Sequence, residues 1–316
     1  MLMLLGQRWQ GGTAFGFMAG SLPPGATLTR ASTGWYFDSA GVLQSAANDA
    51  ARFNYNPDTL ALQGLLVEPP CTNGIRNNTM IGTVAGTPGT APTNWVVTST
   101  INNVTREIVG SGVEDGIAYI DIRYYGTPSA SAFLFITFEG TTVIAGMAGQ
   151  TWTASVYCRL IAGALTNISV AQTLSERSGA GSTVDSVSSA MTPTGTALRT
   201  QRHNLTRLYT NASTLFSVNY ISIAYTSGQA LDVTLRIGLP QLEQGSGASS
   251  PIKTSSAAVA RAADVLSLAM VDGTYDIDIT RLSGVTNVVG AVVSGGAYTV
   301  PTDLSPLQSV VARRVG

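Results

Sequence analysis

Charge is scarce in this 316-residue chain. Only 11% of its residues are charged, and the 17 basic and 18 acidic residues nearly cancel to a net charge of −1. Nucleic-acid-binding proteins usually carry a basic stripe or patch, and the chain has no block of like charge. Composition therefore argues against nucleic acid or an anionic membrane surface as a partner. An apolar content of 44% is ample for a core, so we expect the chain to fold.

Histidine is nearly absent, since His203 is the only one. A single histidine excludes sites that need two, including the HExxH zinc site. The chain also lacks the GxSxG nucleophile elbow and the GxGxxG and GxxxxGK nucleotide loops. Glycosidases need two carboxylates across the scissile bond, and no spacing singles out a pair among the candidates Glu107, Glu114, Asp115, Asp121 and Glu139. We therefore expect a protein that is not an enzyme.

Cysteine and long apolar runs are scarce too. Cys158 occupies an apolar position of an alternating segment, which is typical of a buried free thiol. A disulfide with Cys71 is the alternative. The first residues, MLMLLGQRW, lack the basic segment and apolar length of a secretory signal, and no 18-residue apolar run predicts a transmembrane helix. We expect a protein made in a cytoplasm, without membrane insertion and without a cofactor.

What the sequence has is period-two alternation of apolar and polar residues, punctuated by Gly, Pro, Asn and Thr. This pattern predicts six clear strands: Tyr119–Tyr125, Phe133–Glu139, Thr151–Leu160, Leu198–Leu205, Val218–Tyr225 and Leu231–Leu239. Their number and spacing favour a mainly β protein with an antiparallel two-sheet sandwich. A one-residue slip would turn the apolar set of a strand to water, so the register is well specified.

The pattern predicts four segments. Residues 1–75 carry repeated turn signals and form an irregular N-terminal arm for attachment or assembly. Residues 76–248 contain the sandwich, and residues 270–316 form a small C-terminal β unit. Between them, residues 249–269 form a linker whose Ser255–Leu268 stretch has helical periodicity.

The stretch YIDIRYYG, residues 119–126, predicts a candidate glycan-binding face. One side of this strand is mixed aromatic and charged: Tyr119, Asp121, Arg123 and Tyr125. Aromatic rings supply contact area for sugar C–H faces, and arginine supplies a rigid fork of donors. The alternatives are a cross-strand ladder with an Asp121–Arg123 pair, or an oligomer interface. Phe133 and Phe135 on the next strand either extend this face or belong to the core.

Two further residues complete the candidate glycan surface. Arg199 and His203 share one face of the segment LRTQRHNL, although an ordinary surface histidine is the alternative for His203. The acidic pair Glu114–Asp115 precedes Gly116 in a predicted turn. We interpret these carboxylates as solvated, with a structural calcium ion as the alternative.

Residues 26–73 resemble the N-terminal segment of many bacteriophage and prophage virion proteins. That pattern combines an RAS…F-D-x-x-G stretch, an R-F-x-Y-x-P-x-T segment and a G-L-L-[IV]-E segment. The matching positions here are Arg30, Phe37, Asp38, Gly41, Arg52, Phe53, Tyr55, Pro57, Gly64 and Glu68. The chain departs from the pattern at Ala51 and Cys71, where proline and arginine are common. Residues 106–126 and 235–265 resemble the start and the exit of the domain that follows in such proteins.

The resemblance implies a jelly-roll domain like those of carbohydrate-binding modules, on a spike or fibre of a phage, a prophage particle or a gene transfer agent. It implies host surface polysaccharide as the ligand and other virion proteins, at a capsid vertex or tail, as partners. It further implies a homo-oligomer, with trimer and pentamer both open, on a virion released by lysis. A purely structural decoration or adaptor protein and a capsule depolymerase are the alternatives. No sugar-contact motif is carried over from the family.

Overall fold

The computed structural model describes residues 10–315, whose regular elements are almost all β-strands. They form two compact units. One consists of the described parts of Met1–Pro70 and Arg261–Gly316, and the other is Cys71–Ala260. The two ends of the chain therefore share one unit, whereas the sequence treats them as separate segments. The functional division into four segments stays a prediction.

The strands of the first 70 residues are short, whereas the central unit and the last segment of the chain also contain strands of eight residues or more. Before the central unit, the chain forms β1 (Gln10–Gly16), β2 (Ala26–Thr29), β3 (Gly34–Phe37), β4 (Leu43–Ala46), β5 (Phe53–Tyr55) and β6 (Leu62–Leu65). The central unit contains β7 (Cys71–Asn73), β8 (Val96–Val97), β9 (Val104–Glu114), β10 (Ile117–Gly126), β11 (Ala132–Thr137), β12 (Thr151–Gly163), β13 (Ile168–Arg177), β14 (Thr183–Met191), a 3₁₀ turn (Leu198–Thr200), β15 (Arg202–Leu208), β16 (Phe216–Tyr225) and β17 (Leu231–Gln244). The rest are β18 (Val259–Arg261), β19 (Val265–Ala269), β20 (Gly273–Arg281), β21 (Gly284–Val293), β22 (Ala297–Val300) and β23 (Leu307–Arg314).

The central unit is a jelly roll, which confirms the predicted fold class. One antiparallel sheet has the strand order β15-β12-β17-β10-β9, and we call it the β10 sheet. The other, the β11 sheet, has the order β14-β13-β16-β11-β8. From β10 to β13, and again from β15 to β17, successive strands alternate between the two sheets. That interleaving gives each sheet four strands in jelly-roll order, flanked by β9 or β8.

The core of the jelly roll follows from the alternation in its strands. Ile120, Ile122 and Tyr124 of β10 are at most 1% exposed, and Leu134 and Ile136 of β11 face them in the same apolar cluster. Alternation along a strand then places the intervening residues on the outer surfaces. The predicted register of β10 is therefore confirmed.

The first unit buries a cluster of five charged side chains. Arg30 donates to Asp264 at 2.9 Å, and Arg52 lies 2.8 Å from Glu68. Arg261 lies 3.6 Å from Glu68, and none of the five side chains is more than 2% exposed. Buried charges are tolerated only when paired, and removing one partner costs about 3–5 kcal/mol. The arginines and the glutamate of the virion-protein pattern thus hold this unit together.

The backbone geometry also explains why the virion-protein pattern has glycine at Gly64. Its φ is +130°, and a Cβ there would lie 2.3 Å from the carbonyl oxygen of Leu307. Leu307 pairs with Leu65, so β6 and β23 meet at this point of the sheet. Only glycine allows that backbone approach.

The predicted helix over 255–268 is wrong. The structure has β18 and β19 in this region, and Leu266 and Leu268 of β19 are fully buried. β19 pairs with β2 on one side and with β22 on the other. Ladder hydrogen bonds and burial of alternate leucines outweigh the helix propensity of the alanines, because propensity is a weak prior.

The structure also bears on the start of β15, the two cysteines and the expectation about membrane helices. The predicted strand at 198–205 begins later, because Leu198–Thr200 form a 3₁₀ turn before β15. Cys71 and Cys158 form no disulfide with each other, and burial raises the pKa of the Cys158 thiol to about 12. Between residues 10 and 315, no helix has the length and apolar character needed to cross a membrane.

Candidate functional site: two outer faces of the jelly roll

Tyr119, Asp121, Arg123 and Tyr125 lie on the outer surface of the β10 sheet, because the core takes the opposite side of β10. We call it the β10 face. Asp121 stands directly opposite Arg236 of β17, and the pair is bidentate, with N···O distances of 2.8 and 2.7 Å. The Arg236 guanidinium also lies 3.5 Å from the ring centre of Tyr119. Asp121 therefore pairs across the sheet with β17, and not with Arg123.

Arg123 is bound in the same way further along the strand. It donates to both carboxylate oxygens of Asp232, at 2.8 and 2.7 Å, and to Glu107 at 3.3 Å. Its guanidinium lies 4.3 Å from the ring centre of Tyr125. The hydrogen bonds from Arg123 lower the pKa of Asp232, so this carboxylate is charged at neutral pH. The mixed aromatic and charged pattern is a set of cross-strand pairs.

The carboxylates of the predicted turn also bind arginines. Glu114 accepts hydrogen bonds from Arg236 at 2.6 Å, Arg159 at 2.7 Å and the backbone N–H of Leu198 at 2.8 Å. Burial raises the pKa of Glu114, but these hydrogen bonds outweigh burial and hold it below its usual value.

Asp115 accepts from Arg199 at 2.6 Å. No group of three or more potential metal ligands lies together among residues 10–315. Both turn carboxylates therefore bind guanidinium groups. A calcium ion would need several oxygen ligands close together.

The structure brings five of the six predicted site residues together and leaves His203 apart. Arg199 joins the β10 face through Asp115, next to Glu114. His203 lies on β15, at the opposite edge of the sheet from β9. Its Nε2 atom is buried without a hydrogen-bond partner, and burial lowers the pKa of the ring. His203 stands directly opposite the core residue Val156, so its ring lies on the core side of the sheet and not on the β10 face.

Phe133 and Phe135 lie on a different surface from the β10 face, which corrects the expectation that they extend it or fill the core. β11 belongs to the second sheet, and its core-facing residues are Leu134 and Ile136. Phe133 is 55% exposed and Phe135 is 41% exposed. The two rings stack at 6.0 Å, and Tyr220 of β16 meets Phe135 edge-to-face at 5.6 Å.

Phe135 and Tyr220 line an open groove of about 410 Å³ on the outer side of the β11 sheet, which we call the β11 groove. Its lining comes from five consecutive strands of the sheet and combines apolar, aromatic and hydroxyl groups with one charge: Val96, Val97, Thr98, Phe135, Thr137, Arg177, Thr183 and Tyr220. Binding sites for small ligands commonly have this composition, with an apolar lining and a few polar groups.

Sequence reasoning missed Arg177 and Tyr220. A signal for Tyr220 existed, because alternation in 216–225 puts it opposite the apolar set of Ile221, Ile223 and Tyr225. Nothing in the sequence connects it with Arg177, which lies on another strand. The sheet order places β13 and β11 on either side of β16, and that order brings the groove residues together.

No family model matches the chain, and no curated protein does. Solved structures show distant likenesses. The tripod (BppUct-A-L) from the baseplate of bacteriophage Tuc2009 is 11% identical at a TM-score of 0.37, over 93% of this chain and 99% of that one. The CBM22-1 xylan-binding domain of Paenibacillus barcinonensis Xyn10C is 16% identical at a TM-score of 0.32, over 56% of this chain and 94% of that one.

The enzymatically active domain of tailspike protein 4 from bacteriophage CBA120 is also similar, at 12% identity and a TM-score of 0.33. The match covers 48% of this chain and only 20% of the tailspike domain. With TM-scores and identities this low, the likenesses assign neither a ligand nor a partner to the chain.

Proposed function

We propose that this chain is a surface protein of a phage or phage-like particle that binds host polysaccharide, such as capsule, without cleaving it. The observation that carries the proposal is the β11 groove, where Phe135 and Tyr220 lie edge-to-face in the lining. Sugar rings pack their C–H faces on aromatic side chains, which give large contact area at a low entropy cost. Thr137 and Thr183 present hydroxyls to the groove. The Thr98 hydroxyl, which accepts from the Phe135 backbone N–H at 2.9 Å, keeps its own hydrogen for donation to a sugar.

The size of the groove suits a short saccharide segment. Its volume of about 410 Å³ lies within the range of roughly 300–1,000 Å³ that is usual for ligand sites. The groove is open to solvent on the outer side of the β11 sheet.

Binding without cleavage is supported by the chemistry of the lining. Hydrolysis of a glycosidic bond needs two carboxylates that flank it, and the eight lining residues include none. On the β10 face, Glu114 and Asp121 share Arg236 as a partner. Both sets of residues therefore favour an adhesin over a depolymerase.

The place on a particle is supported by the resemblance of residues 26–73 to virion proteins. Arg30, Arg52 and Glu68 of that pattern form the buried cluster of the first unit. We propose that this unit joins the particle and that the jelly roll binds glycan. Several copies, as a trimer or pentamer, would raise the avidity of individually weak sites through effective concentration.

A structural decoration or adaptor protein is the second candidate, and β21 favours it. This strand ends its sheet, and Val285, Val289 and Val292 are 59%, 80% and 75% exposed. An exposed apolar edge strand is a template for pairing with another chain. Such a protein would bind other virion proteins through this edge and no sugar.

Sedimentation of the protein with polysaccharide of the host, followed by measurement of polymer length over time, tests the proposal. We expect binding with unchanged length, and loss of binding in a Phe135→Ala/Tyr220→Ala variant whose circular dichroism and melting temperature match the parent. Shortening of the polymer would replace the adhesin with a depolymerase. Absence of binding by the assembled protein would leave the adaptor as the better description.

A further inference from the structure

Arg177 is unusual among the arginines of this protein. Within residues 10–315, each of the others donates at least one hydrogen bond to a carboxylate, a backbone carbonyl or a hydroxyl. The Arg177 guanidinium makes none, and its Nε atom is buried without a partner. The guanidinium lies over the Tyr220 ring, and the distance from its carbon to the ring centre is 5.9 Å.

The surroundings of Arg177 do not neutralise it. It is the only charged residue that lines the β11 groove, beside aromatic rings, valines and threonines. Glu176, the preceding residue, is fully buried and binds Arg207 instead. Partial burial lowers the pKa of Arg177, as expected for a cation that loses water without gaining an anion. Leaving a partly buried donor unpaired is unfavourable unless a ligand completes it.

From this geometry we infer that the β11 groove takes an acidic saccharide, with a sugar carboxylate held by Arg177 and the sugar ring packed on Phe135 and Tyr220. The inference rests on the proposed glycan-binding function and adds the ligand class. Planar guanidinium and carboxylate groups form paired, charge-assisted hydrogen bonds. A uronic acid and a nonulosonic acid such as sialic acid both provide an aliphatic ring with one carboxylate.

The probes are polygalacturonate, alginate and polysialic acid, each beside its own carboxyl-reduced, neutral form. Reduction keeps the sugar and the linkage and removes the charge. Binding is measured by affinity electrophoresis and calorimetry, at low and at physiological salt. Arg177→Gln removes the cation, Arg177→Lys keeps a point charge, and Arg314→Gln removes the same charge from the other compact unit as a control.

We expect at least one acidic polymer to bind, and its reduced form to bind about 10- to 100-fold more weakly, the usual worth of a charge-assisted pair. Arg177→Gln should lose a similar factor, Arg177→Lys should lose less, and Arg314→Gln should bind like the parent. Uronate polymers and polysialic acid are tested separately, so the polymer that binds shows whether the carboxylate belongs to a uronic acid or to a sialic acid.

The remaining outcomes separate this inference from the proposed function. Equal binding of acidic and reduced polymers, or undiminished binding by Arg177→Gln, would leave a glycan-binding protein and overturn the acidic ligand. Binding of the neutral forms alone would do the same. Failure of every polymer in both forms, with folded protein, would count against the acidic ligand and the proposed function together.

Discussion

The two outer faces of the jelly roll carry similar residue types and use them differently. On the β10 face, Asp121 and Asp232 each bind an arginine through two hydrogen bonds. In the β11 groove, the guanidinium of Arg177 has no such partner and the ring of Phe135 is exposed. A ligand on the β10 face must compete with bonds already made. A ligand in the groove gains contacts that the protein leaves open, so composition alone is a poor guide to a binding face.

The largest effect should come from removing the rings of the groove. We expect Phe135→Ala/Tyr220→Ala to weaken polysaccharide binding on the order of 100-fold, about 3 kcal/mol, since each ring that a bound sugar covers contributes contact area and directional contacts. Equilibrium binding of the purified polymer measures it. Binding within a few-fold of the parent would remove the groove as the site and, with it, the contrast between the faces.

The next effect should appear in stability and come from the β10 face. Asp121→Ala leaves the Arg236 guanidinium with Glu114 alone, in a side chain only 17% exposed. We expect a loss of about 1–3 kcal/mol in the free energy of unfolding, the cost of leaving a charged donor poorly paired. Urea denaturation measures it, and Asp232→Ala, whose carboxylate is 51% exposed, is the matched variant with little expected change. Equal losses of unfolding free energy in the two variants would mean that burial does not determine how much each ion pair stabilises the fold.

Acid should lower the stability of the fold through Glu114, which belongs to the ion pairs of the β10 face. The pKa of Glu114 is lower in the folded protein than in the unfolded chain, so its charged form stabilises the fold above the unfolded value. This contribution is lost as pH falls below about 4.5 and through the folded pKa. Denaturation at a series of pH values should show a shallower decline for Glu114→Gln than for the parent. Parallel curves would contradict the assignment.

We expect the smallest effect on glycan binding from a variant of the β10 face, and this result decides between that face and the β11 groove. The sequence predicts that Arg123→Ala with Tyr125→Ala weakens glycan binding, whereas the geometry of the groove leads us to expect binding within about twofold of the parent. Circular dichroism establishes that the variant is folded before binding is compared. A loss comparable to that of the ring variant would return the glycan to the β10 face.

Much of the fold could be predicted from local pattern. The alternation in 119–125 correctly gives the inward set of Ile120, Ile122 and Tyr124, because a one-residue slip would expose all three. The helix over 255–268 failed because its alternate leucines, Leu266 and Leu268, had partners in β2 and β22 that no local pattern shows. Tertiary pairing overrides propensity at such positions.

The candidate site was harder to predict than the fold. Tyr119, Asp121, Arg123 and Tyr125 stand out because they are close in sequence, whereas the groove collects its lining from five strands. Arg207 and Arg177 look alike in the sequence, and only the structure shows that Arg207 meets Glu176 while Arg177 meets no anion.

The sequence by itself determined which residues alternate between core and surface, since burial of apolar side chains depends on a period that can be read along the chain. It also determined the small number of charges and the single histidine. The tertiary structure decided which charges meet. Asp264 binds Arg30 across 234 positions of the chain, and β11 joins the sheet opposite β10. Pairing of charges depends on distance in space, and strand order sets that distance.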